Sequence, residues 1–126
     1  MSMRTPLKNV RRLGSAREGS DHFWQQRVTA VANIVLGVAF VWLIADLAGE
    51  DLPVIENALA NPLIAIVLLL FVLSGIYHMR LGMQVIIEDY VKGEGSKVVL
   101  LMFNTFFAAA IGLACVFAIL KINFGA

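Results

Sequence analysis

Three long apolar runs, set apart by short polar connections, organise this 126-residue chain. Each is about twenty residues or longer, the length an α-helix needs to cross a hydrocarbon core about 30 Å thick. The pattern predicts helices over residues 21–47, 62–89 and 96–122. The first opens on DHFWQQR, where Phe23 and Trp24 suit a membrane–water interface. Two start signals stand out. Ser20-Asp21 precedes the first run, and Asn61-Pro62 precedes the second. In the latter pair the asparagine caps, and proline at the first helical position gives up no hydrogen bond. The first connection, residues 49–61, carries acids and Pro53, and residues 54–60 fit a short interfacial helix. The second, residues 91–97, holds Gly93, Gly95 and Ser96 and is expected to be a brief, flexible link.

Composition narrows the class. Hydrophobic residues make up 60% of the chain and charged residues 15%. A soluble domain of this size has too little interior to hide that much apolar surface. The expectation is an all-α membrane protein with three transmembrane helices. Residues 1–20 form a basic N-terminal segment, and residues 21–126 form the three-helix membrane domain.

Net charge is only +1, but its placement is informative. Six of the ten Lys and Arg residues precede the first apolar run: Arg4, Lys8, Arg11, Arg12, Arg17 and Arg27. The first connection has no cation and carries Glu50, Asp51 and Glu56, while Lys92 and Lys97 return in the second. By the positive-inside rule the N-terminus and the second connection are cytoplasmic, and the first connection and the C-terminus are periplasmic. The basic start could pass for a signal peptide. Its apolar part runs about twenty residues, which suits a retained span better than a cleaved leader. The basic tail either lies against a partner or anionic lipid headgroups or is a disordered basic segment; no nucleic-acid partner is expected. The single cysteine, Cys115, sits in an apolar run, excludes an internal disulfide and reads as a packing residue.

Candidate chemistry concentrates in SGIYHMRLGMQVIIEDY, residues 74–90. His78 lies 16 residues after Pro62 and 11 before Asp89. Those separations are about 24 Å and about 16 Å along a helix. A polar group at such depth faces a cavity, a cofactor or a partner. Eleven residues are almost three whole turns, so His78 and Asp89 lie on nearly one face, with Ser74, Gly75, Gly82 and Val85 on or near the same stripe. The glycines leave room for a flat, bulky group or another helix. His78 is therefore either an axial haem ligand or a histidine hydrogen-bonded between packed helices. The only other histidine, His22, is at the foot of the first helix. It is about 16 Å away in depth, too far to share one iron. Arg80 points about 200° away from His78. It calls for a propionate, an acid on another subunit, or the phosphates of lipid headgroups. Asp89 and Tyr90 sit where the helix leaves the membrane. A phenol is a neutral donor suited to a quinone carbonyl, and a neighbouring carboxylate can orient it or pass protons. An interfacial tyrosine beside a solvated acid is the alternative. Asn33, Asn104 and Thr105 read as interhelical hydrogen-bonding groups.

At these residues the chain resembles the hydrophobic membrane-anchor subunits of succinate dehydrogenase, respiratory complex II. One carrying stretch is GSDHFWQQRVTA, residues 19–30. The other is His78-Met79-Arg80-Leu81-Gly82-Met83 continuing to Glu88-Asp89-Tyr90-Val91. The resemblance implies that His78 ligates the iron of haem b, with the second axial histidine supplied by a partner anchor, the cytochrome b556 subunit. It implies that Asp89 and Tyr90 lie at the ubiquinone site, and that Arg27 lies near the haem propionates or the quinone pocket. FAD and iron–sulfur clusters would belong to the flavoprotein and iron–sulfur partner subunits only. The chain would serve the tricarboxylic acid cycle and respiratory electron transport from a bacterial inner membrane, with no catalytic residue of its own. A haem-free structural anchor, the anchor of a related fumarate reductase, and a carrier or channel lined by Arg80 and His78 are the competing readings.

Overall fold

The computed structural model describes residues 5–7 and 18–125. The expectation that a basic tail lies on lipid or a partner rests on residues 1–4 and 8–17, outside the described residues. Among the described residues from 18 onward, four helices follow in order: α1 Glu18–Leu47, α2 Leu52–Leu59, α3 Pro62–Tyr90 and α4 Glu94–Phe124. Three of them, α1, α3 and α4, are long and apolar enough to cross a membrane. Their 29 to 31 residues give rods about 45 Å long, longer than the hydrocarbon core, so they tilt or project.

The ends of the helices follow local chemistry. Asn61 Oδ1 accepts from Leu63 N at 2.9 Å and Pro62 opens α3, as the sequence signal requires. Helix α1 is described from Glu18, so Ser20-Asp21 lies inside the helix and not ahead of it. A long apolar helix readily extends through such residues, because propagation needs far less free energy than nucleation. Gly49 turns the chain at φ +87°, a conformation costly for any residue with a Cβ. The short helix α2 is then closed by Asn123 of α4, whose Nδ2 donates to Ala60 O at 2.8 Å. Only residues 91–93 separate α3 from α4. Lys97 spans this link and donates from Nζ to Glu88 O at 3.1 Å, placing a cation where the α3 dipole is negative.

Helix α3 is the centre. Helices α1 and α4 pack on its two sides and have no substantial contact with each other. The small interior lies along it: Ala65, Leu68, Leu81 and Ile87 of α3, with Ala108 and Asn104 of α4. Gly37 and Phe40 of α1 receive Phe71, whose ring stands 4.9 Å from that of Phe40. On the other side Gly112 receives Ile76. Asn104, 7% exposed, donates from Nδ2 to Arg80 O at 3.0 Å and ties α4 to α3, the interhelical role expected of it. Asn33 behaves differently, since its buried Oδ1 has no hydrogen-bond partner among the described residues. Ile34, Val38 and Trp42 form an outward stripe on α1, each at least two-thirds exposed. Apolar stripes of that extent need lipid or partner chains against them.

Candidate functional site

The site grows from a polar seam between α1 and α3. Gln25, Thr29 and Asn33 recur every four residues on α1, so they present one face. Opposite them stand Ser74, Tyr77 and His78 of α3. Tyr77 Oη donates to Gln25 Oε1 at 2.8 Å, and Ser74 Oγ lies 3.4 Å from Thr29 O. Thr29 Oγ1 is 3.0 Å from His78 Nδ1. His78 is half-buried, and its Nε2 makes no hydrogen bond among the described residues.

The glycines of the histidine stripe face this seam. A Cβ on Gly75 would meet Asn33 Oδ1 at 4.0 Å, and one on Gly82 would meet Gln26 Nε2 at 3.4 Å. Of the two occupants the sequence leaves open, the structure brings in the neighbouring helix. Side chains of α1 lie over both glycines, which permit the close approach that lets Thr29 reach His78.

Beside the seam runs a groove of about 490 Å³. His78, Leu81 and Val85 form one wall, and His22, Gln26 and Arg27 stand on the other. Phe23 and Ala30 add apolar surface. The Arg27 guanidinium lies 4.6 Å over the Phe23 ring, a contact between residues one helical turn apart. Gln26 Oε1 is buried without a hydrogen-bond partner among the described residues, an orphan acceptor at the groove. His22 and His78 thus line the same cavity. They remain about 10 Å apart along α1, counted over the seven residues from His22 to Thr29. That is closer than the 16 Å read from sequence, and still too far to serve one iron.

The donor set fits a flat, largely apolar group that carries anionic substituents and accepts one imidazole. His78 supplies an unengaged ring nitrogen, Leu81, Val85 and Ala30 supply apolar contact, and Arg27 supplies a cation at the rim. Haem is such a group. Among the described residues no cluster of three or more His, Cys, Asp and Glu suited to a bare metal ion occurs.

Asp89 and Tyr90 lie elsewhere. Asp89 continues the stripe of His78, Leu81 and Val85 to the last turn of α3, beyond the groove, and Tyr90 follows it about 100° round the helix. Both are exposed, Tyr90 at 80%, and neither side chain makes a hydrogen bond among the described residues. Arg80 faces a second groove, of about 550 Å³, between α3 and α4 with Tyr77 and Thr105. Its buried Nε has no hydrogen-bond partner among the described residues. The structure therefore joins Arg27 to His78, leaves Asp89 and Tyr90 apart from them, and sends Arg80 to the opposite side. Thr29, Gln25 and Gln26 carry the seam, yet only their place in the GSDHFWQQRVTA stretch marked them in the sequence.

Two membrane-capable helices packed on a central third, with a groove between α1 and α3 lined by His22 and His78, define a small helical membrane subunit. The family model for the succinate dehydrogenase/fumarate reductase transmembrane subunit matches residues 1–120. The chain belongs to that family. It is 34% identical over 122 residues to the succinate dehydrogenase hydrophobic membrane anchor subunit of Paracoccus denitrificans, covering 97% of this chain and 94% of that one. The corresponding subunit of Rickettsia bellii is 34% identical over 88 residues, 70% of each chain. The succinate dehydrogenase membrane anchor subunit of Reclinomonas americana is 35% identical over 89 residues, 66% of this chain and 72% of that one. No solved structure matches the chain significantly.

Proposed function

We propose that this chain is a membrane anchor subunit of a succinate:ubiquinone oxidoreductase, and that His78 is one axial ligand of a haem b shared with a second anchor subunit. The observation that carries the reading is the arrangement at His78. Its Nδ1 is engaged by Thr29, its Nε2 is unengaged, and it opens on an apolar groove with Arg27 at the rim. The bound haem would supply one-electron redox chemistry. His78 would hold its iron, Arg27 would neutralise its carboxylates, and Leu81, Val85 and Ala30 would exclude water.

Quinone reduction belongs to the end of α3. Ubiquinone takes up two electrons and two protons to become ubiquinol. Tyr90 donates a hydrogen bond to a quinone carbonyl oxygen, and Asp89 orients the phenol or hands protons inward. Partner subunits close the pocket around these exposed residues. Succinate oxidation, FAD and the iron–sulfur clusters lie in the flavoprotein and iron–sulfur partners, and this chain adds no catalytic residue to that reaction. The named relatives above are succinate dehydrogenase subunits, which favours succinate oxidation over fumarate reduction as the physiological direction. The membrane is a bacterial inner membrane, with the N-terminus cytoplasmic and the C-terminus periplasmic.

The test is His78→Ala in the complex purified with its native partners. Haem content and the reduced-minus-oxidised b-type spectrum are expected to fall or shift strongly. A complex with unchanged haem and spectrum would mean that His78 only packs, as in a haem-free anchor.

A further inference from the structure

Thr29 Oγ1 has three neighbours within hydrogen-bonding distance. They are Gln25 O at 2.8 Å, Gln26 O at 3.2 Å and His78 Nδ1 at 3.0 Å. The hydroxyl owns one hydrogen. Two oxygens 2.8 Å apart with no hydrogen between them repel, so that hydrogen lies toward the carbonyls of the preceding turn, the usual back-bond of a helical threonine. What Thr29 then offers His78 is a lone pair. His78 must donate, so Nδ1 carries the ring proton, and in the neutral imidazole Nε2 carries the free lone pair.

We infer that Thr29 is a positioning residue for the haem ligand. It selects the tautomer of His78 that presents Nε2 to iron, and it raises the donor strength of that nitrogen. The inference rests on the reading of His78 as a haem ligand. The relay runs from His78 Nδ1–H to Thr29 Oγ1, and from Thr29 O–H to Gln25 O. Two further contacts hold α1 and α3 in the register the relay needs. Tyr77 Oη reaches Gln25 Oε1, and Ser74 Oγ approaches Thr29 O. The outer partner of a ligating histidine fixes ring orientation and increases ligand basicity. A more basic ligand stabilises the ferric state over the ferrous one, so the relay lowers the haem midpoint potential.

Thr29→Val keeps the side-chain volume and removes the acceptor, and Thr29→Ser restores it. In the purified complex, Thr29→Val is expected to raise the midpoint potential in a redox titration and to shift the low-spin ferric EPR signal. Thr29→Ser should return both to wild-type values. Thr29→Ala takes the place of the valine variant should that complex fail to assemble. A Thr29→Val complex with full haem content and unchanged potential and EPR signal overturns the inference. So does a serine variant that behaves like valine, including one that loses haem with it. The underlying reading fails separately: if His78→Ala retains haem and spectrum, His78 is not the ligand. If His78→Ala loses haem while Thr29→Val changes nothing, the ligand stands and only the positioning role falls.

Discussion

A phenol 80% exposed at the end of an apolar helix has no structural duty that its hydroxyl performs within the chain. Tyr90 packs against no interior, and its oxygen finds no partner among the described residues, so substituting phenylalanine removes a donor and leaves the fold alone. In the complex, Tyr90→Phe is expected to slow quinone reduction roughly tenfold, the loss of one hydrogen bond of about 1.4 kcal/mol. Succinate oxidation measured with an artificial acceptor should stay at the wild-type rate. Equal rates in both assays would remove Tyr90 from the quinone site. The histidine and its partner show how unevenly residues announce themselves. His78 was legible in the sequence because an imidazole deep in an apolar run is expensive and needs a reason. Thr29 was not, since a threonine can satisfy its own hydroxyl on the preceding turn and is cheap anywhere in a membrane helix. Only the register between two helices, which no single run of sequence specifies, turns that ordinary side chain into the neighbour of His78.

At the scale of the element, helical geometry separates what the chain declares locally from what it does not. The three spans, the Asn61-Pro62 start and the stripe from Ser74 to Asp89 follow from hydropathy and a period of 3.6 residues, and these are local properties. The ends of α4 moved by two residues because a spanning helix propagates past weak stop signals; it runs Glu94–Phe124 and exceeds residues 96–122 at both ends. The partner of the glycine face is a tertiary fact. Gly75 and Gly82 turn toward Asn33 and Gln26 of α1, and this close contact brings the seam together. At Gly82 an added Cβ would stand 3.4 Å from Gln26 Nε2, the mobile end of a long side chain. Gly82→Ala is therefore expected to assemble as wild type, with higher helix propensity of about 1 kcal/mol offsetting the slight crowding. Gly82→Leu overfills the same contact and should cost about 1–3 kcal/mol. It would lower the thermal stability of the detergent-solubilised complex and weaken haem retention through displaced α1. Equal stability of the leucine and alanine variants would show that α1 and α3 do not pack at this glycine.

The whole molecule is thinly held by its own contacts. Helices α1 and α4 share one central neighbour, and even the most buried side chain of α4, Ala108 at 2% exposure, packs along α3. The outward faces need lipid and partner subunits, and both proposed sites open on those faces. The His78 groove lies at the end of the molecule where α1 begins and α3 finishes, and Asp89 and Tyr90 lie at that same end. This polarity makes topology a test of function. Electrons from a cytoplasmic dehydrogenase can reach the proposed quinone residues directly only if that end faces the cytoplasm. The charges agree: Arg27, Lys92 and Lys97 sit at this end, whereas Glu50, Asp51 and Glu56 occupy the connection at the other. Three crossings from a cytoplasmic N-terminus leave the C-terminus outside. Alkaline phosphatase fused after Ala126 should therefore be active, and a green fluorescent protein at the same position dark. Fusions placed in the link between α3 and α4 should give the reverse pair. A dark phosphatase and a bright fluorescent protein at the C-terminus would turn the chain over. The quinone end would then sit across the membrane from the dehydrogenase partners, and the proposed electron path could not operate.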